Sequence, residues 1–99
     1  MIQTITGIIR NTTDLTRYTR RNDSVDDKCI VHIVDADSDP VHPLEVAVTV
    51  TGEMARQWVG RINQRVRAEY AVRVFTFTRR DGATSLGNDI FGINLTEMP

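Results

Sequence analysis

The spacing of apolar and polar positions changes several times along this chain. Residues 44–52, "LEVAVTVTG", put Leu44, Val46, Val48 and Val50 at every second position, the mark of a strand with one buried face. Residues 3–10, "QTITGIIR", are a short β-rich run with Gly7 inside it, and residues 28–36, "KCIVHIVDA", are strongly β in character. Over residues 53–63 the period lengthens, and Met54, Ala55, Trp58, Val59 and Ile62 share one helical stripe. Glu53 suits the first turn of that helix. Gly60 weakens it by ~1 kcal/mol relative to alanine, so the helix depends on packing. Residues 65–79, "RVRAEYAVRVFTFTR", return to alternation, with Val66, Ala68, Tyr70, Val72 and Val74 expected to face the core. Residues 89–95, "DIFGINL", read as a last strand.

The connections carry turn chemistry. Asp, Ser and Pro in "DSDPVHP" (37–43) and the Asp-Gly of "RDGATSLGN" (80–88) mark turns. The polar stretch 11–27, "NTTDLTRYTRRNDSVDD", reads as a long first loop, a length usually kept for function. The order is therefore β-β-β-α-β-β. A chain of 99 residues is one domain, 1–99, with room for one core. All-β with one helix between strands three and four is the order of a five-stranded OB-fold, a small Greek-key barrel. Gly7 and Gly92 would supply the bends that closure requires.

Composition narrows the classes. The net charge of −1 gives no global basic footprint. Its distribution is uneven, however, with arginines at Arg17, Arg20, Arg21 and again at Arg73, Arg79, Arg80, so one positive face is compatible with a neutral total. No apolar run approaches the ~20 residues of a membrane span, and the N-terminus lacks the pattern of a secretory signal. The single cysteine, Cys29, forms no internal disulfide and fits a reducing, cytoplasmic compartment. "DADSDPVHPLEV" begins like a calcium loop but has Pro40 and Val46 where glycine and glutamate belong, so no metal is expected. Its charge would repel a nucleic-acid backbone, which places any binding face elsewhere. There is no phosphate-cradling glycine loop, no Cys/His metal spacing and no evident nucleophile partner for His32 or His42. The expectation is a non-enzyme without cofactor.

"ITGIIRNTTDLTRYT" resembles the opening of bacterial single-stranded-DNA-binding proteins, with Gly7, Asp14, Leu15, Arg17 and Tyr18 at the matching places. "EMARQWVGRINQRVRAEYAVRVFTFTRRDG" resembles the family's helix, following strand and Asp-Gly turn, and "NDIFGINL" its final strand. The resemblance spans nearly the whole chain. Two features depart from it. "CIVHIVD" and "LEVAVTV" hold no base-stacking aromatic residue, and no glycine-rich tail with an acidic tip follows "LTEMP". The tail-less form is closer to the primosomal PriB type, which implies a homodimer or higher homo-oligomer and possible replication-protein partners.

The opposite face of residues 73–79 carries the sharpest candidate chemistry. If Val72 and Val74 point inward, Arg73, Phe75, Phe77 and Arg79 point outward. Arginines tracking phosphates and rings stacking on bases hold single strands, and the resemblance places an aromatic at Phe77. The alternative is burial of Phe75 and Phe77 at a dimer interface or under a loop. "TRYTRRND" supplies a second cluster, Arg17, Tyr18, Arg20 and Arg21. OB-folds bind oligonucleotides with this loop and the loop between the last two strands. The first cluster would then meet Arg79 and Arg80 in one groove; otherwise its arginines are merely solvated. Trp58 and Tyr70 read as core, His32 as a core or interface residue and Cys29 as a small buried hydrophobe. The function implied is non-catalytic binding of single-stranded DNA, with RNA as a possible ligand, in replication or recombination. The alternative is a protein-interaction module of a replisome or phage assembly.

Overall fold

The computed structural model describes residues 2–99. Six strands and one helix follow one another: β1 (Ile2–Thr12), β2 (Thr16–Thr19), β3 (Val25–Asp35), β4 (Glu45–Thr51), α1 (Gly52–Trp58), β5 (Arg65–Thr78) and β6 (Thr84–Glu97). The sheet runs β1-β5-β6-β4-β3-β2, and an added β1–β3 pairing closes β1, β5, β6, β4 and β3 into a ring. The last joint of that ring is a parallel bridge between Thr49 and Phe91.

Alternation produces the core. Ile5 and Ile9 of β1, Cys29, Val31 and Ile33 of β3, Val48 and Val50 of β4, Val66 and Ala68 of β5, and Leu95 of β6 are all buried. They meet in one cluster with Ala55 and Trp58 of α1. Burying a large aliphatic side chain is worth about 1.5–3 kcal/mol, so this alternation is what holds the ring shut.

Gly7 makes the sharpest corner. It pairs with Asp35 of β3 and with Val66 of β5 at once. A Cβ there would lie 1.9 Å from the Val34 carbonyl oxygen, so no side chain fits. The register of β1 against β3 then slips between Ile9 and Asn11. Gly92 serves the second bend. Its Cβ would press on Val50 Cγ1 at 2.8 Å, and the β5–β6 register slips between Glu69 and Tyr70 beside it.

Several sequence expectations need correction. Residues 11–27 are not a loop. After a break at residues 13–15, β2 continues along the edge of β3 that β1 also uses, and the two form a hairpin. Its turn is held by the Arg20 N–H donating to the Ser24 carbonyl (2.8 Å), with Asp23 at φ 65°. Asn and Asp adopt that left-handed conformation more readily than most residues. The helix stops at Trp58, and Gly60 turns the chain at φ 77° while its N–H donates to Thr12 Oγ1. Ile62 is consequently exposed, as is Leu44, which precedes β4. The final strand begins at Thr84 rather than residue 89.

Val72 and Val74 do not reach the core either. Beyond residue 71 the two last strands leave the barrel and pair only with each other, forming a two-stranded arm out to the turn at 79–83. The arm lengthens the molecule. Its radius of gyration is 15.0 Å, against roughly 13 Å for a compact chain of this size.

Candidate nucleic-acid interface

The β2–β3 hairpin supplies one wall of the site. The pairs Thr16↔Lys28 and Tyr18↔Asp26 put Tyr18, Lys28 and Asp26 on one face. Lys28 Nζ lies 5.9 Å and Arg20 Cζ 5.8 Å from the centre of the Tyr18 ring. Both are within cation–π range, which steadies the ring at a strand edge. Arg20 also hydrogen-bonds Asp26, and Arg56 of α1 reaches Asp27 Oδ2 at 3.0 Å and Asp26 Oδ1 at 3.4 Å. The Asp27 N–H and then the Arg20 guanidinium hold the Asp26 carboxyl below the usual aspartate range. The same Asp26 hydrogen bond raises Arg20 above its ordinary value. Asp26 and Asp27 of this hairpin are thus neutralised within the chain. Lys28 and Arg21, by contrast, enter no ion pair among the described residues.

The arm supplies the other wall. Arg73↔Asp89, Phe75↔Gly87 and Phe77↔Ser85 are cross-strand pairs, so these residues share one face, opposite that of Val72 and Val74. The Phe75 and Phe77 ring centres are 6.1 Å apart at 41°. Gly87 is the floor beneath them. A Cβ there would come within 2.7 Å of Phe75 Cζ and 3.3 Å of Phe77 Cε1. Glycine therefore lets both rings lie down on β6, and their outer surfaces stay 40% and 45% exposed. Within this chain they are neither core nor covered by a loop.

The two walls face one groove. An open cavity of 510 Å³ is lined by Tyr18 and Lys28 from the hairpin, Thr49 and Thr51 from β4, and Arg73, Asp89 and Phe91 from the last two strands. A second cavity of 410 Å³ is lined by Arg21, Arg73, Phe75 and Asp89. Arg73 and Asp89 border both, so the cavities adjoin at that pair. The combined surface offers rings for stacking, guanidinium and ammonium groups for anions, and threonine hydroxyls at the floor. The acidic turn after β3 lies away from it, since Asp35 and Lys28 are seven residues apart on one strand, roughly 23 Å.

Not every expected residue joins this groove. Tyr18, Arg21, Arg73 and Phe75 line it, and Phe77 adjoins through Phe75. Arg20 caps the Tyr18 ring but is committed to Asp26. Arg17 is paired opposite Asp27, on the other face of the hairpin from Tyr18. Arg79 and Arg80 sit in the arm's tip, exposed and outside both cavities. Lys28, Thr49, Thr51, Asp89 and Phe91 line the groove without having been anticipated. Phe91 had a legible signal. It alternates with Ile90 and Gly92, and Ile90 packs on the core, so Phe91 must face outward.

No protein-family model and no curated protein matches this chain. Solved structures do. A crystal structure of the mitochondrial single-stranded DNA binding protein Rim1 of S. cerevisiae superposes over 99% of this chain and 94% of that one, with TM-score 0.66 at 19% identity. A second Rim1 structure gives the same coverage, with TM-score 0.60 at 17% identity. The chain has an OB-fold, shared with these structures. In this OB-fold the ring strands are β1, β3, β4, β5 and β6, and the helix lies between the third and fourth of them, as the sequence order implied. The short strand β2 extends the barrel's first hairpin, and the arm extends its last one.

Proposed function

We propose that this protein binds single-stranded DNA without strong sequence preference, as a non-catalytic protein of replication or recombination of the PriB-like type. The observation that carries the reading is the meeting of the hairpin and the arm. Tyr18 and Lys28 from one, Arg73 and Phe75 from the other, and Phe91 from the barrel end of β6 border two adjoining cavities. Lys28, Arg21 and Arg73 capture phosphates. Tyr18, Phe91 and Phe75 offer faces on which bases stack, each worth ~1–3 kcal/mol. The fold shared with Rim1, whose name describes a single-stranded DNA binding protein, supports the same reading. Single-stranded RNA offers the same phosphates and rings and is the competing ligand.

A homodimer in the cytoplasm completes the proposal. It is supported by the arm's other face, where Val72, Val74 and Leu86 are exposed without a covering layer. That face also favours the alternative reading, a docking module for replication proteins.

The test is a titration of fluorescent oligo-dT at low and moderate salt, repeated with oligo-rU. Binding at low salt is expected to weaken with a log–log slope of about −2, from three phosphate contacts on a single strand. Tyr18→Ala and Phe91→Ala should each weaken it about 5- to 100-fold while leaving the melting temperature nearly unchanged. No binding at low salt defeats the proposal and leaves the docking reading.

A further inference from the structure

Arg73 is the one cation of the groove already engaged by a carboxylate. Arg73 Nη2 lies 3.0 Å from Asp89 Oδ2, across a register pair of the arm, and both residues border both cavities. Lys28 and Arg21, on the facing wall, have no such partner among the described residues. The pair is well exposed, with 67% of the Arg73 and 51% of the Asp89 side chain accessible, so it is open to exchange with a ligand rather than fixed by burial.

We infer that Asp89 is a built-in competitor for the nucleic-acid phosphate. The inference rests on the single-strand reading above and says how that groove limits its own affinity. In the free protein the carboxylate occupies the guanidinium where a backbone phosphate must sit. Binding exchanges one oxyanion for another and leaves Asp89 beside the incoming negative charge. The exchange holds Arg73 in an outward position between ligands and keeps the complex readily reversible. An exposed pair of this kind is weak, so the competition moderates binding without preventing it.

The opposite role is also physically sensible, since a carboxylate can orient an arginine for its ligand. The two roles differ in sign. If Asp89 competes, Asp89→Asn tightens oligo-dT binding about three- to tenfold at low salt, while the slope of about −2 set by three phosphate contacts is kept. The gain must also depend on Arg73. In an Arg73→Ala background the same substitution should recover only the smaller share due to removing a nearby negative charge. Asp89→Ser serves as a second variant, and thermal melts check that both are folded. Weaker or unchanged binding by Asp89→Asn, with wild type binding normally, overturns the competitor role alone. An equal gain with and without Arg73 overturns it too, reducing the effect to bulk charge. No binding by wild type and variants alike removes the single-strand reading, and this inference with it.

Discussion

Strands β5 and β6 each belong to two different environments. In the barrel their alternation buries Val66, Ala68 and Leu95 against the sheet that curls over them. In the arm the alternation of β5 continues through Val72 and Val74, and Leu86 joins their face from β6 beyond the slip at Gly92, yet Val74 is 66% and Leu86 75% exposed. In β5 the pleat has not changed; the opposing layer has ended. Apolar alternation thus reports which face a residue takes, not whether anything waits on that side. With nothing to bury, the arm is free to use its other face, where Arg73 and Phe75 border the groove.

Stability measurements offer the largest contrast between the two regions. Trp58→Ala, in the plug of the barrel, should cost about 3–5 kcal/mol in denaturant unfolding. Val74→Ser, in the arm, should stay within about 0.5 kcal/mol. A comparable cost at Val74 would mean that the arm is covered in solution, as dimerisation through its apolar face requires. A smaller effect is expected for Gly87→Ala. The new methyl group must lift Phe75 and Phe77 from β6, so oligo-dT binding should weaken about three- to tenfold while the barrel's melting transition holds. Unchanged affinity would show that these rings do not stack on the strand.

The smallest effect separates hairpin from arm by pH. The lowered Asp26 value means that its contacts with the Asp27 N–H and Arg20 stabilise the hairpin above the ordinary aspartate range. That contribution is lost as pH falls through the lowered folded value. Amide signals of residues 24–27 should therefore shift only as the pH falls below the ordinary aspartate range. Those of residues 76–78, which face no carboxylate of this kind, should hold still. Equal movement in both would dissolve the distinction.

What was legible in the sequence follows from the same physics. The barrel strands, the Gly7 corner and the burial of Trp58 could be read because each is a local pattern with one good solution. The outward face of Arg73, Phe75 and Phe77 was legible for the same reason. The inward placement of Val72 and Val74 failed because strand length beyond the barrel's rim leaves no trace in periodicity. Strand β2 was hidden because "TRYT" has no apolar alternation; it forms by pairing with β3, a tertiary contact. Lys28 and Asp89 were missed because their importance depends on what stands across the groove, and that distance is set only when the sheet closes.

The bridge between Thr49 and Phe91 gives the groove a mechanical side. It is the slightest joint in the ring, and both of its residues are within reach of whatever fills the cavity above. A bound strand touching Thr49 and Phe91 together would splint β4 to β6. Loading the groove and tightening the barrel's weakest seam would then be one event.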